Sequence, residues 1–155
     1  MNIQRVKQGA RITLYNGIYM IILGLYYIFF IKTNMKITFD SIYLLWGFFT
    51  RYNGNVAYFF FLFNILIGVL LISQGILIIY LSDFIIKRKE KMTWTMLFLS
   101  GIITWAVLLV ISILLNNWLL SILTGVGWLT FLLGMVLPIK YYLEKNYREI
   151  GRAHV

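Results

Sequence analysis

Side chains able to carry acid–base or metal chemistry are scarce in this chain and sit at its margins. His154 is the sole histidine, there is no cysteine, and the acids are Asp40, Asp83, Glu90, Glu144 and Glu149. Without cysteine there is no thiol nucleophile, no thiolate metal ligand and no disulfide. With one histidine near the C-terminus, this chain alone cannot supply bis-histidine haem ligation, nor a histidine base within an apolar span. A haem shared with a partner stays compatible. The acids all lie outside the long apolar stretches. Proton-coupled transport generally needs an ionisable group at membrane depth, and cation channels often use acidic rings. Asp40, beside Ser41 with no base at hand, reads as a helix cap. The expectation is a protein that is not an enzyme and holds no cofactor or metal.

The remaining chemistry is neutral hydrogen bonding. Asn64 and Gln74 are the bulkiest polar residues inside an apolar stretch, and Trp105 and Trp128 carry the nearest indole donors. Two uses compete: interhelical bonds worth about 1 kcal/mol or less each, or a polar lining that orients a lipid, a quinone or another apolar molecule. Ten residues separate Asn64 from Gln74, about 80° around a helix, so the two do not form one narrow stripe.

These residues must be positioned by four uncharged runs, at about 12–31, 56–81, 92–115 and 118–139. Each meets the rule of roughly 20 apolar residues per membrane crossing. Composition agrees, with 61% hydrophobic and only 12% charged residues; soluble domains carry about a quarter charged. The net charge of +9 is distributed by segment. Arg5, Lys7 and Arg11 precede the first run; Lys87, Arg88, Lys89 and Lys91 separate the second from the third; Lys140, Lys145, Arg148 and Arg152 follow the fourth. Only Lys32, Lys36 and Arg51 lie on the opposite side. The positive-inside rule therefore predicts cytoplasmic N- and C-termini in a plasma or cytoplasmic membrane. The cluster at 87–91 also suits anionic lipid head groups. Basic charge spread along membrane-hugging segments argues against nucleic acid as a partner.

Between the first two runs lies a less polar loop. Asp40 is expected to cap a short interfacial helix over about 40–50, with Ile42, Leu45, Trp46 and Phe49 on one face and Arg51 near its end. Asn116-Asn117 predicts a tight hairpin turn. The tail over 140–155 is expected to continue the fourth helix into the cytoplasm, supported by Glu144 and Arg148 at i, i+4, with Pro138 kinking or ending its membrane part.

Glycine spacing is the most informative pattern. Gly17 and Gly24, Gly68 and Gly75, and Gly127 and Gly134 are each seven apart. A seven-residue step keeps small residues on one seam of a left-handed helix pair, where they let backbones approach. Thr13 precedes Gly17 by four and Asn64 precedes Gly68 by four, so the first two runs share a faint repeat. The sequence thus predicts an all-α integral membrane protein, four transmembrane helices in an antiparallel left-handed bundle. The function expected is an accessory, assembly or scaffolding subunit that docks membrane proteins, lipids or its own copies. The alternative is a small binding or transport module.

Overall fold

Long uncharged runs satisfy their backbone groups in lipid only by coiling. The computed structural model describes residues 2–42 and 46–142, and these are helical apart from short turns. The elements are α1 (Asn2–Phe29), α2 (Ile31–Ile42), α3 (Trp46–Tyr52), α4 (Gly54–Arg88), α5 (Lys91–Leu114) and α6 (Trp118–Val136). Four helices are long and apolar enough to cross a membrane: α1, α4, α5, and α6 with its continuation to Tyr142. The protein is therefore all-helical among its described residues and suited to an integral membrane setting.

The helices run further than the uncharged stretches. α1 starts well before Ile12, and α4 continues about two turns past Leu81 to Arg88. At 1.5 Å per residue α4 is about 52 Å long, against a hydrocarbon core of about 30 Å. A helix of that length protrudes or tilts.

Turn chemistry separates α4, α5 and α6. Lys89 takes a left-handed conformation (φ 52°) after α4 and its N–H bonds the Ile85 carbonyl. Glu90 then turns extended, and its carboxylate accepts the Thr93 hydroxyl at 3.0 Å. Asn116 is left-handed (φ 51°) between α5 and α6. Asn117 caps α6 by accepting the Leu120 N–H at 3.1 Å. After Val136 the chain makes a turn at 137–138 and resumes helix to 142. Pro138 is fully buried there.

The loop between α1 and α4 differs from its expectation. It is two helices rather than one starting at Asp40. The helix starts earlier because hydrogen bonding carries on from the end of α1: α2 follows α1 almost directly, with the Asn34 N–H bonding the Phe30 carbonyl. Asp40 lies inside α2. Its carboxylate reaches the Trp46 N–H at 3.4 Å, the first of α3, so it serves the next helix rather than its own. Phe39 of α2 packs its ring against Trp46 and Phe49, each at 4.9 Å. Leu45, the Ile42 side chain, and the tail from 143 with Glu144, Arg148 and His154 lie outside the described residues.

α1 is the common partner. It packs along α4 on one side and α6 on another, while α5 packs on α6. Its outward residues, such as Ile22 and Phe29, are exposed, as are Val69, Leu70, Ile103, Val110, Leu129 and Leu133 elsewhere. Exposed aliphatics in this number belong in lipid, where no hydrophobic penalty attaches to them.

Candidate functional site

Among the described residues one buried polar cluster joins three of the long apolar helices. Asn16 of α1 is 2% exposed. Its amide donates to the Gly127 carbonyl at 2.7 Å and to the Thr130 hydroxyl at 2.9 Å, both on α6. Its carbonyl accepts the indole N–H of Trp105 on α5 at 2.9 Å. Tyr19, one turn along α1, stacks on Trp105 at 6.0 Å and donates to the Leu123 carbonyl at 2.9 Å. Every one of these groups is neutral.

Glycine makes this approach possible. The Trp105 ring lies where a side chain on Gly127 would stand, and the Phe131 ring of α6 does the same over Gly101 of α5. The α5–α6 contact is thus reciprocal, each helix pressing one ring onto the other's glycine. Further along, the Ser112 and Thr124 hydroxyls meet at 3.1 Å.

The α1–α4 contact is reciprocal in a different way. A methyl on Gly75 would fall 2.7 Å from the Gly17 carbonyl oxygen, and one on Gly17 would fall 2.9 Å from that of Gly75. Gly24 and Gly68 repeat the relation at 2.7 and 2.8 Å. Positions that rise along α1 meet positions that fall along α4. Beyond this pair, Ser82 donates to the Thr13 hydroxyl at 3.0 Å. The two glycine motifs that look like a repeat in sequence are therefore each other's partners.

Gly134 and Gly127 share their seven-residue spacing but divide their duties. A methyl on Gly134 would meet Thr13 of α1 at 2.8 Å, whereas Gly127 receives Trp105 of α5. Opposite Gly134 stands Gly9, against which the Pro138 ring packs. Gly9, Asn16, Gly101, Phe131 and Pro138 were not predicted as one packing set. A four-residue step back from Gly17 through Thr13 reaches Gly9, a signal present in the sequence. Nothing in the sequence marks Gly101 as the seat of a ring.

The four residues suggested as a polar lining are not brought into one hydrogen-bonded site. Trp105 is committed to Asn16. Asn64 accepts from Asn34 of α2 at 3.1 Å and donates to the Phe60 carbonyl. The Gln74 amide nitrogen and the Trp128 indole nitrogen are buried without a hydrogen-bond partner. A second such pair lies where α5 begins: Trp94 stacks on Tyr142 at 5.1 Å, and neither its N–H nor the Tyr142 hydroxyl is bonded.

In the basic segment, Lys87 pairs with Asp83 at 2.6 Å and Arg88 stands 4.9 Å over the Phe84 ring. Lys87 and Arg88 are exposed, and Lys89 and Lys91 are partly so. At the opposite end, Asn117 donates to Thr38 of α2 at 3.1 Å, tying the outer loop to the α5–α6 turn.

No group of three or more His, Cys, Asp or Glu residues gathers among the described residues. The buried polar residues there are Thr, Asn and Ser alone. What such an arrangement can do chemically is fix helices in register through neutral dipoles. Comparison with protein-family models, with curated proteins and with solved structures found no match to this chain.

Proposed function

We propose that this protein is a non-catalytic accessory, assembly or scaffolding subunit of a membrane complex. It would be an antiparallel left-handed bundle in a plasma or cytoplasmic membrane, with both termini cytoplasmic. The outer segment containing α2 and α3 would rest at the membrane interface. Lys87, Arg88, Lys89 and Lys91 would meet anionic head groups on the cytoplasmic side, worth about 1 kcal/mol per basic residue. The observation that carries the reading is the Asn16 cluster: its buried amide is fully used in joining α1, α5 and α6. A scaffold needs a rigid interior and a presentable exterior, and the exterior here is broad and apolar.

Purification from native membrane in mild detergent, read by native mass spectrometry, tests this. The expected result is co-migration with another membrane protein or with further copies of this chain. A chain that always runs alone overturns it.

The buried, unbonded donors of Gln74 and Trp128 favour a second reading, a module that binds a small apolar molecule bearing an acceptor, such as a quinone or a lipid. Ligand retention compared between the native chain and its Asn64→Leu and Gln74→Leu variants separates the two. Unchanged retention removes the pocket.

A further inference from the structure

We propose that the cytoplasmic end of the α1–α4 contact seats a phospholipid whose head group carries a primary ammonium beside its phosphate, that is, a phosphatidylethanolamine. The proposal rests on the membrane placement and orientation given above and not on the accessory role.

An open groove of about 610 Å³ is lined by Leu14 of α1 and by Ile76, Ile79, Tyr80 and Asp83 of α4. The α4 residues fall at i, i+3, i+4 and i+7, one face of the helix. The close crossing of Gly17 and Gly75 lies beneath it, with the Ile79 side chain against Gly17. Ile76 and Tyr80 are exposed, so the groove opens toward the surrounding lipid. From Asp83 to Ile76 it runs about 10 Å along the helix, roughly two-thirds of one leaflet's share of a 30 Å hydrocarbon core. An acyl chain fits that length and that apolar lining.

The groove ends in charge of both signs. Asp83 and Lys87 bond through one carboxylate oxygen, Oδ2, at 2.6 Å, and their side chains remain 46% and 70% exposed. The second carboxylate oxygen and the remaining ammonium protons are available. A phosphatidylethanolamine head group presents the complementary order: its ammonium donates to Asp83 and its phosphate accepts from Lys87. Phosphatidylcholine cannot donate a hydrogen bond, and phosphatidylglycerol would bring a net negative charge against Asp83.

The test uses the full chain in nanodiscs of equal phosphatidylethanolamine, phosphatidylcholine and phosphatidylglycerol. Retained lipids are counted by native mass spectrometry after release into detergent. Exposed charge pairs contribute modestly, so the expected enrichment of phosphatidylethanolamine over phosphatidylcholine is about threefold. Asp83→Asn should abolish it and raise phosphatidylglycerol, because Lys87 is then unopposed. Ile76→Trp, a change at an exposed position, should lower retention of all three by filling the groove while leaving thermal unfolding unchanged. No enrichment of phosphatidylethanolamine over phosphatidylcholine in the native chain, or an enrichment that survives both variants, would overturn the proposal. Loss of lipid preference with partners still bound would remove the groove and leave the scaffold reading standing.

Discussion

Replacing Asn16 with leucine should be among the most damaging conservative substitutions in the membrane interior. The side chains are similar in size, so packing changes little and the cost is polar. Three interhelical hydrogen bonds are lost, at 2.7, 2.9 and 2.9 Å. Such bonds average about 0.6 kcal/mol in membrane proteins, or roughly 2 kcal/mol for three. The consequences are unequal. The Thr130 hydroxyl keeps the Val126 and Gly127 carbonyls of its own helix. The Trp105 indole N–H, fully buried, has nowhere to turn. An orphaned buried donor adds a penalty of about 1–3 kcal/mol, part of it already counted, so the expected loss is about 3 kcal/mol. The assay is reversible unfolding in mixed micelles for the native chain, Asn16→Leu, Trp105→Phe and the double variant. Once Trp105→Phe has removed the N–H, Asn16→Leu should cost less, and the pair should fall short of additivity by about 1 kcal/mol. Additivity within about 0.4 kcal/mol would refute the claim that one bond couples α1 to α5.

Three other outcomes follow from the same geometry. Gly17→Ala or Gly75→Ala forces α1 and α4 apart and should cost about 1–3 kcal/mol in the same unfolding assay, whereas Gly125→Ala, whose new methyl would meet only Leu109 at 3.8 Å, should be neutral within about 0.5 kcal/mol. Gln74→Leu removes a buried amide nitrogen without a partner and should leave stability unchanged or raise it by up to about 1 kcal/mol. Asn116→Gly suits the left-handed turn and should be tolerated, while Asn116→Val should destabilise by about 1 kcal/mol or more, read as a lower thermal midpoint in detergent.

The four long helices were legible because charge is excluded from them, and a missing charge is visible in any window. Their ends were not, since helical hydrogen bonding continues through Arg11 or Lys87 once the chain emerges into water. Asn116 and Asn117 marked the α5–α6 turn because each residue type serves a backbone need there. The glycine pattern told which residues share a face, and left open which helix each face would meet. Gly127 and Gly134 show the difference, one taking an indole ring from α5 and the other lying against α1. Asn16 stands with Asn64 and Gln74 among the few polar residues of the spans, for which interhelical hydrogen bonding is the first expectation, but a lone amide at the inner end of a span does not say which helices it will bond. Asp40 was recognised as a capping residue and assigned to the wrong helix, because the sequence does not say that α2 begins nine residues earlier, at Ile31.

The centrality of α1 bears on how the molecule is made. α1 is made before the helices it holds together, and the partners of Asn16 lie 89, 111 and 114 residues downstream. At roughly 5–20 residues per second, the wait from Asn16 to Thr130 lasts about 6 to 23 seconds. Until Trp105 is made, an amide designed for an indole and a carbonyl has neither, and until α6 is made it still lacks the carbonyl. The later-made α6 is therefore the helix that lets α1 settle into its final place, and any truncation within α6 leaves α1 as an unfinished surface for the cell's quality control to find.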